Sequence, residues 1–242
     1  MTGNSTDEIT LHHSLVKRKS DGHICRQEVP VATTEHGEER TGVDVVGSWT
    51  APDPDTQDMR DRILNAASRL FYANGIRATG ISEIVKLAGI TKVTLYRHFA
   101  SKDLLVLAYL DRRSSFERGY VRDAMALARE DPGAAARAIA STIGIESCSP
   151  GFRGCPFINA AAEFGDPANI IRQNVDEHRR WFKEAIEDLL RNVGRTDVEA
   201  TAAELVMLRD GAMISGYLGD SEEVAAALYR AGSAIVAAHG RD

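Results

Sequence analysis

An all-α fold, with a small three-helix unit ahead of a larger helical bundle, is what this chain of 242 residues predicts. Three observations carry that expectation. From Asp58 onward the apolar residues recur at three- and four-residue spacings, and no segment alternates with the period of two that a half-buried strand requires. Aromatic residues make up only 6% of a chain that is 43% hydrophobic, so the core must be built from Ala, Leu, Ile and Val, which suits close helix packing. Finally, residues Gly80 to Lys102 read GISEIVKLAGITKVTLYRHFASK, two short helices joined by a tight turn.

Residues 1–57 show no sustained period. They mix charges with Thr, Gly and Pro, end in APDPDTQD, and are read as a disordered acidic extension. A start at Met59, with the extension outside the natural protein, is the alternative. The first helix runs from Asp58, with Ile63, Ala67, Leu70 and Phe71 on one face, and stops at Asn74-Gly75. A second short helix carries Ile84, Val85 and Ala88 as its apolar side. Gly89 then supplies the left-handed residue that ends a helix at no Cβ cost.

Thr91 follows as an N-cap, its hydroxyl able to take up a free amide of the third helix. Leu95 and Phe99, four apart, turn inward. Lys92, Val93, Thr94, Tyr96 and Arg97 are left outward or flanking. Ser101 is placed to cap the fourth helix, which continues through Leu104, Leu105 and Ala108 to about Glu130. Asp131-Pro132 opens a fifth, ending near Ser147. After the turn at Ser149-Pro150-Gly151 comes a short apolar helix in GCPFINAAAEF. A long seventh runs from Pro167 to Asn192, with Ile171, Val175, His178, Phe182, Ile186 and Leu189 on one stripe, and Gly194 closes it. An eighth opens at Thr196 or Asp197 and reaches about Leu218. A ninth opens at Ser221, with Glu223 nearby, and reaches about Ala238.

A small exposed helix bearing Thr91, Lys92, Thr94, Tyr96, Arg97 and His98 within eight residues suits the major groove of DNA. ITKVTLYRHFASKDLL resembles the recognition helix and fourth-helix entry of TetR/AcrR-type repressors, and RILNAASRLFYANGIRATGI resembles their first helix. The resemblance is strong over about residues 58–112; beyond that it rests on helical pattern. Val93 departs from the Gly, Ala or Pro usual at that position. The resemblance implies a DNA-reading domain at 58–102, with a ligand-binding and dimerisation domain at 103–242. It implies that Tyr96, His98 and Lys102 bind phosphates, with Thr91 adding a hydroxyl. Thr94 and Arg97 would lie nearer base edges, and Lys92 and Val93 complete the expected interface.

Net charge is −6, which at first argues against nucleic acid. Its distribution reverses that inference. Residues 58–113 hold ten Lys/Arg against five Asp/Glu, whereas 1–57 and 114–242 are both net acidic. A locally basic module can grip phosphates while an acidic remainder limits indiscriminate binding. Cys25, Cys148 and Cys155 are sparse and lack metal-ligand spacing, which fits a reducing cytoplasm. No run of 18 apolar residues exists, so neither a membrane span nor an export signal is expected. No cofactor or metal is expected either.

The last two helices are rich in small residues, notably Ala212, Gly216, Ala225 and Gly232. Small residues allow close axial approach, so these helices are candidates for a two-fold dimer interface, against intramolecular packing of the same surfaces. Two reading helices so related suit a palindromic operator, with half-sites about 34–36 Å apart or a multiple of that. Candidates for lining an effector pocket are Phe152, Phe157, Ile158, Phe164, His178, Trp181, Phe182, Met207 and Met213, each with plain core packing as its alternative. A thiol switch between Cys148 and Cys155 competes with two inert small residues. Catalysis by Cys155, His178 and Glu163 lacks a strained elbow, a phosphate loop or metal spacing. The expected function is a homodimeric repressor released from DNA by a small molecule. Alternatives are a ligand-independent repressor or activator, or a helical small-molecule-binding protein or enzyme.

Overall fold

The computed structural model describes residues 12–20, 23–31, 58–128, 132–219 and 223–238. Two strands come first. β1 (His12–Ser20) and β2 (His23–Val31) pair antiparallel, with His12 opposite Val31 and Ser20 opposite His23. Within residues 1–57, expected to be a disordered acidic extension, the described residues are these two strands. Only Asp21 and Gly22 separate the strands, and Asp-Gly is a favoured pair for a two-residue hairpin loop. Alternation gave no warning, because Leu15 and Val16 are adjacent and Lys17, Arg18 and Lys19 follow in a run. The expected disorder of residues 32–57 lies outside the described residues, as do the helix openings expected at Asp131 and Ser221.

Among the described residues nine helices follow. The reading unit holds α1 (Met59–Asn74), α2 (Ile81–Ala88) and α3 (Lys92–His98). The Asp58 carboxylate caps α1 by accepting from the Arg60 amide. Gly75, at φ +95°, ends the helix. At the start of α2 the Glu83 carboxylate accepts from the Gly80 amide at 2.8 Å. Gly89 sits in the left-handed region at φ +63°, and Ile90 N–H reaches back to the Val85 carbonyl, the bond that closes a helix end of this type. Ile63, Ala67, Phe71, Ile84, Ala88, Leu95 and Phe99 are buried together as the unit's core.

α4 (Lys102–Ala128) leaves this unit, capped by Ser101 Oγ on the Leu104 amide at 3.1 Å. Around it lie α5 (Pro132–Ser147), α6 (Pro156–Glu163), α7 (Ile170–Asn192), α8 (Val198–Leu218) and α9 (Val224–Ala238). Pro156 stands where a missing N–H costs α6 nothing. α7 begins three residues later than expected, because Asn169 rather than Pro167 supplies the cap, accepting from the Ile171 amide at 2.9 Å.

One apolar core runs from the reading unit along Leu105, Val106 and Leu110 of α4 into Ile143, Phe157, Ile171, Val175 and Met213. Polar bolts reinforce that continuity. Glu163 at the end of α6 accepts from the Ile76 and Arg77 amides at 2.8 and 2.6 Å, fixing the turn between α1 and α2. Tyr72 of α1 donates to the Gly154 carbonyl and accepts from the Arg153 amide. The small unit is therefore seated on α6 as well as hung from α4.

Candidate nucleic-acid interface and effector cavity

α3 is held from behind and open in front. Leu95 and Phe99 are buried, and full burial of a Leu or Phe side chain contributes about 1.5–3 kcal/mol. The Thr91 hydroxyl accepts from the Thr94 amide at 3.1 Å and lies 2.9 Å from the Thr94 hydroxyl, so those two side chains pin the first turn. Lys92, Val93, Tyr96 and Arg97 are exposed, Val93 to 73%. Thr94 and His98 are half-buried at the flanks. Lys102 is half-buried too, its Nζ donating to the Arg77 carbonyl at 3.4 Å. The eight expected residues thus lie on one short helix and the entry to the next. Two arginines that sequence reasoning passed over support this surface from α1. Arg62 donates to the Ala88 carbonyl at 2.9 Å, and Arg60 lies 4.5 Å over the Phe99 ring. Their sequence signal was weak, since an Arg in a first turn reads as an ordinary solvated charge.

The bundle conceals a buried ionic cluster. Glu117 of α4 is fully buried and meets Arg209 of α8 at 3.2 Å, Arg113 at 3.3 Å and His178 Nε2 at 3.2 Å. Arg113 also pairs with buried Glu146. Burial alone would raise the Glu117 pKa. Arg209, the His178 hydrogen bond and Arg113 outweigh it, and hold the carboxyl at about 2. For Glu146 the balance reverses, and burial pushes its carboxyl up despite Arg113. His178 is stacked flat on Phe157, with centroids 3.5 Å apart, and its Nδ1 is 3.0 Å from Ser114 Oγ.

Cys155 is a free, buried thiol that accepts from Arg209 Nη1 at 3.2 Å; it is not paired with Cys148. His178 is bonded to neither Cys155 nor Glu163, and Glu163 is engaged on the α1–α2 turn. The three do not form a catalytic array.

Beside the cluster lies an apolar cavity of about 320 Å³ between α5, α7, α8 and α9. Its walls include Ile139, Ile143, Phe182, Ile186, Leu205 and Leu228, and Arg209 is the charged residue among them. Of the nine residues expected around an effector, Phe182 lines this cavity and the others are elsewhere. Phe152, Phe157 and Met213 are packed in the core, with Ile158 half-buried against it. Phe164 lies under Arg77, with Cζ 5.1 Å from its ring centroid, and Trp181 under Arg118 at 4.2 Å. His178 borders a small polar cleft with Asp111, Ser114 and Asn174. Met207 is 73% exposed on an apolar groove between α8 and α9.

That groove is lined by Met207, Gly211, Ala212, Ser215, Ala227 and Ile235. Of the four small residues expected at a dimer interface, Ala212 is on it. Ala225 is half-buried and does not line it. Gly232 faces the cavity between α5, α7, α8 and α9, beside Leu205 and Leu208. Gly216 faces inward, where an added Cβ would stand 2.5 Å from Ser147 Oγ and 3.2 Å from the Phe152 ring. Ser147 has little room to yield, being buried and bonded to the Ile143 carbonyl at 2.8 Å. Gly216→Ala should therefore cost about 1–3 kcal/mol by overpacking. Urea denaturation measures it, and an unchanged midpoint would contradict the inward placement.

Comparison with known proteins decides the family. Residues 63–109 match the model for bacterial regulatory proteins of the tetR family, and residues 137–231 match that of the tetracyclin repressor-like C-terminal domain. The chain belongs to the TetR family of transcriptional regulators. It is 30% identical over 161 residues to the HTH-type transcriptional regulator LmrA of Bacillus subtilis, spanning 66% of this chain and 84% of LmrA. The crystal structure of a TetR-family regulator from Streptomyces coelicolor superposes with a TM-score of 0.72 at 42% identity, covering 76% of this chain and 96% of that one. TtgR of Pseudomonas putida matches at 42% identity over 57 residues, only 24% of this chain and 27% of TtgR. A TetR-family chain is a DNA-binding transcriptional regulator, and the family is not enzymatic. Membership implies operator binding and dimerisation through the C-terminal domain. Among the described residues no helix is long and apolar enough to cross a membrane.

Proposed function

We propose that this TetR-family chain is a homodimeric repressor which a small apolar effector releases from a palindromic operator. The observation that carries the reading is the joint architecture of α3 and α4. A helix anchored by Leu95 and Phe99 presents Lys92, Tyr96 and Arg97 outward. The helix that follows it carries Glu117 into contact with Arg209 on the wall of an apolar cavity. Occupancy of the cavity acts on Arg209, Arg209 on α4, and α4 on the spacing of the paired reading helices. A coupling of about 1–3 kcal/mol corresponds to a fivefold to 150-fold change in operator affinity.

Fluorescence anisotropy on the region upstream of the protein's own gene tests this. A complex of two protomers per site, with at least about a thousandfold preference over random duplex at the same salt, is expected. Equal affinity for random DNA would overturn operator recognition. A full effector screen that leaves affinity unchanged would remove the release step.

The dimer surface of this proposal is the groove carrying Met207, together with Leu218 at the end of α8, which is 74% exposed. Met207→Glu would place two like charges near the two-fold axis and strip apolar area from the contact. Weakening of the dimer by at least about tenfold is expected. Sedimentation equilibrium reads it directly, and an unchanged dimer would place the interface elsewhere.

A further inference from the structure

Cys148, the residue that follows α5, is disulfide-bonded, whereas Cys155 is a free thiol. The chain has three cysteines, so the one left to pair with Cys148 is Cys25, in β2. The backbone agrees, because β2 packs against α5. So does the sequence pattern of the hairpin. Directly opposed residues of an antiparallel pair share a face, and faces alternate along each strand. Cys25 stands opposite Arg18, and their face also carries Val16, Val29 and Val31. The other face carries Lys17, Lys19, Arg26 and Glu28. Cys25 is thus on the side with fewer charges, the side suited to lie on a helix.

We propose that Cys25 and Cys148 form a reversible disulfide, a clasp that ties the N-terminal hairpin to the end of α5 when small disulfides accumulate. Cys25 is the entry point. Arg18 shares its face and Arg26 adjoins it, and neighbouring cations favour the thiolate, the form that attacks. The Cys25 thiolate attacks a small disulfide such as glutathione disulfide, forming a mixed disulfide and releasing one glutathione thiolate. Cys148 then attacks the Cys25 sulfur and releases the second. Two protein thiols are oxidised and one glutathione disulfide is reduced. Reversibility follows from where a DNA-binding regulator works. Cellular thiols keep most cysteines there reduced, and the disulfides that do form are mostly transient and sensing. Exposure separates the two bundle cysteines. Cys148 is half-buried and reachable by a small thiol, whereas Cys155 is 2% exposed and accepts from Arg209. The clasp bears on the bundle at a junction of helices. Immediately before Cys148, Glu146 pairs with Arg113 of α4 and Ser147 faces Gly216 of α8.

Peptide mapping of the full chain tests this, since Arg153 separates Cys148 from Cys155 and trypsin leaves each cysteine on its own peptide. The chain is equilibrated with glutathione disulfide, alkylated and digested without reduction. The Cys25 and Cys148 peptides are expected as one linked species, with Cys155 alkylated. Excess glutathione should return both as alkylated thiols. In Cys148→Ser, Cys25 should be trapped as its mixed disulfide with glutathione. Amide exchange over residues 140–148 should slow at least about tenfold on oxidation of the unmodified chain, and should not change in Cys25→Ser. Linkage of Cys148 to Cys155 or to a second chain, no linkage at all, or a link that excess glutathione leaves closed would each overturn the proposal. So would an exchange rate at the end of α5 that oxidation leaves unaltered. If a variant does not fold, mapping and exchange on the unmodified chain decide by themselves.

Discussion

Glu117→Gln is expected to lower the unfolding free energy by about 3–5 kcal/mol, the cost typical of breaking a buried ion pair by removing one partner. The side chain is fully buried and accepts from three groups on three helices, Arg113, His178 and Arg209. Gln keeps the shape but turns an amide toward guanidinium groups that need a carboxylate. Arg113 retains Glu146, and Arg209 retains Asp210 as its one carboxylate beside the Cys155 thiol. Replacing the pair together, as Glu117→Leu with Arg209→Met, should recover much of that loss, since buried pairs exchanged for apolar residues are often near neutral. Urea unfolding of the single and double variants gives the comparison. A single-variant cost below about 1 kcal/mol, or a double variant that sums the single losses, would show that the cluster is not a coupled unit.

The same carboxylate sets an acid limit. Its folded pKa, about 2, is below the ordinary 4.5. A depressed carboxylate contributes stability that is complete above the unfolded value and is lost as pH falls through the folded one. The loss therefore falls between about pH 4.5 and 2 and amounts to roughly 3 kcal/mol. Glu146, shifted upward, works in the opposite sense. Glu117→Gln should flatten the decline below pH 4.5, which the pH dependence of the urea midpoint measures.

The helices were legible from Asp58 onward because each carries its own punctuation. Gly89, Thr91 and Ser101 do in the structure what their chemistry predicts. The site was less legible, for two reasons. Aromatic and Met residues in a poorly aromatic chain suggest pocket lining, whereas Phe157 and Met213 are large groups that fill the core, and the cavity is walled mostly by aliphatic residues with Phe182 and Tyr229 among them. The ionic cluster did leave a trace. Glu117 is on one stripe with Leu110, Val121 and Ala124, and Arg209 with Ala202, Met213 and Gly216, so each is a charge at a core spacing. Charges there must be paired, but which stripe faces which is tertiary information. Gly216 and Gly232 have neighbours within their own chain, Ser147 and Phe152 for one and Leu205 and Leu208 for the other. A small residue permits close approach without saying whether the approaching surface belongs to the same chain.

Arg97→Ala should relax sequence preference rather than merely weaken DNA binding. Arg97 is exposed on the last turn of a helix whose opposite side is fixed by Leu95 and Phe99, so its guanidinium reaches from a rigid base. A bidentate pair with a guanine contributes about 1–3 kcal/mol of discrimination. In a dimer the loss occurs in both half-sites, and so about 2–6 kcal/mol on a full palindrome is expected. Lys102 provides the contrast. Half-buried, with its ammonium on the Arg77 carbonyl, it can turn to a phosphate but not along a base edge. Lys102→Ala should weaken binding to every duplex alike and reduce the salt slope by about one per protomer. Titrations of both variants on cognate and random duplexes over a range of salt separate the roles. Equal losses on the two duplexes for Arg97→Ala would make that residue a phosphate contact and move sequence reading to Lys92, Thr94 or Tyr96. Specificity would then have to come from side chains that bond singly, and the preference for the operator would be correspondingly shallow.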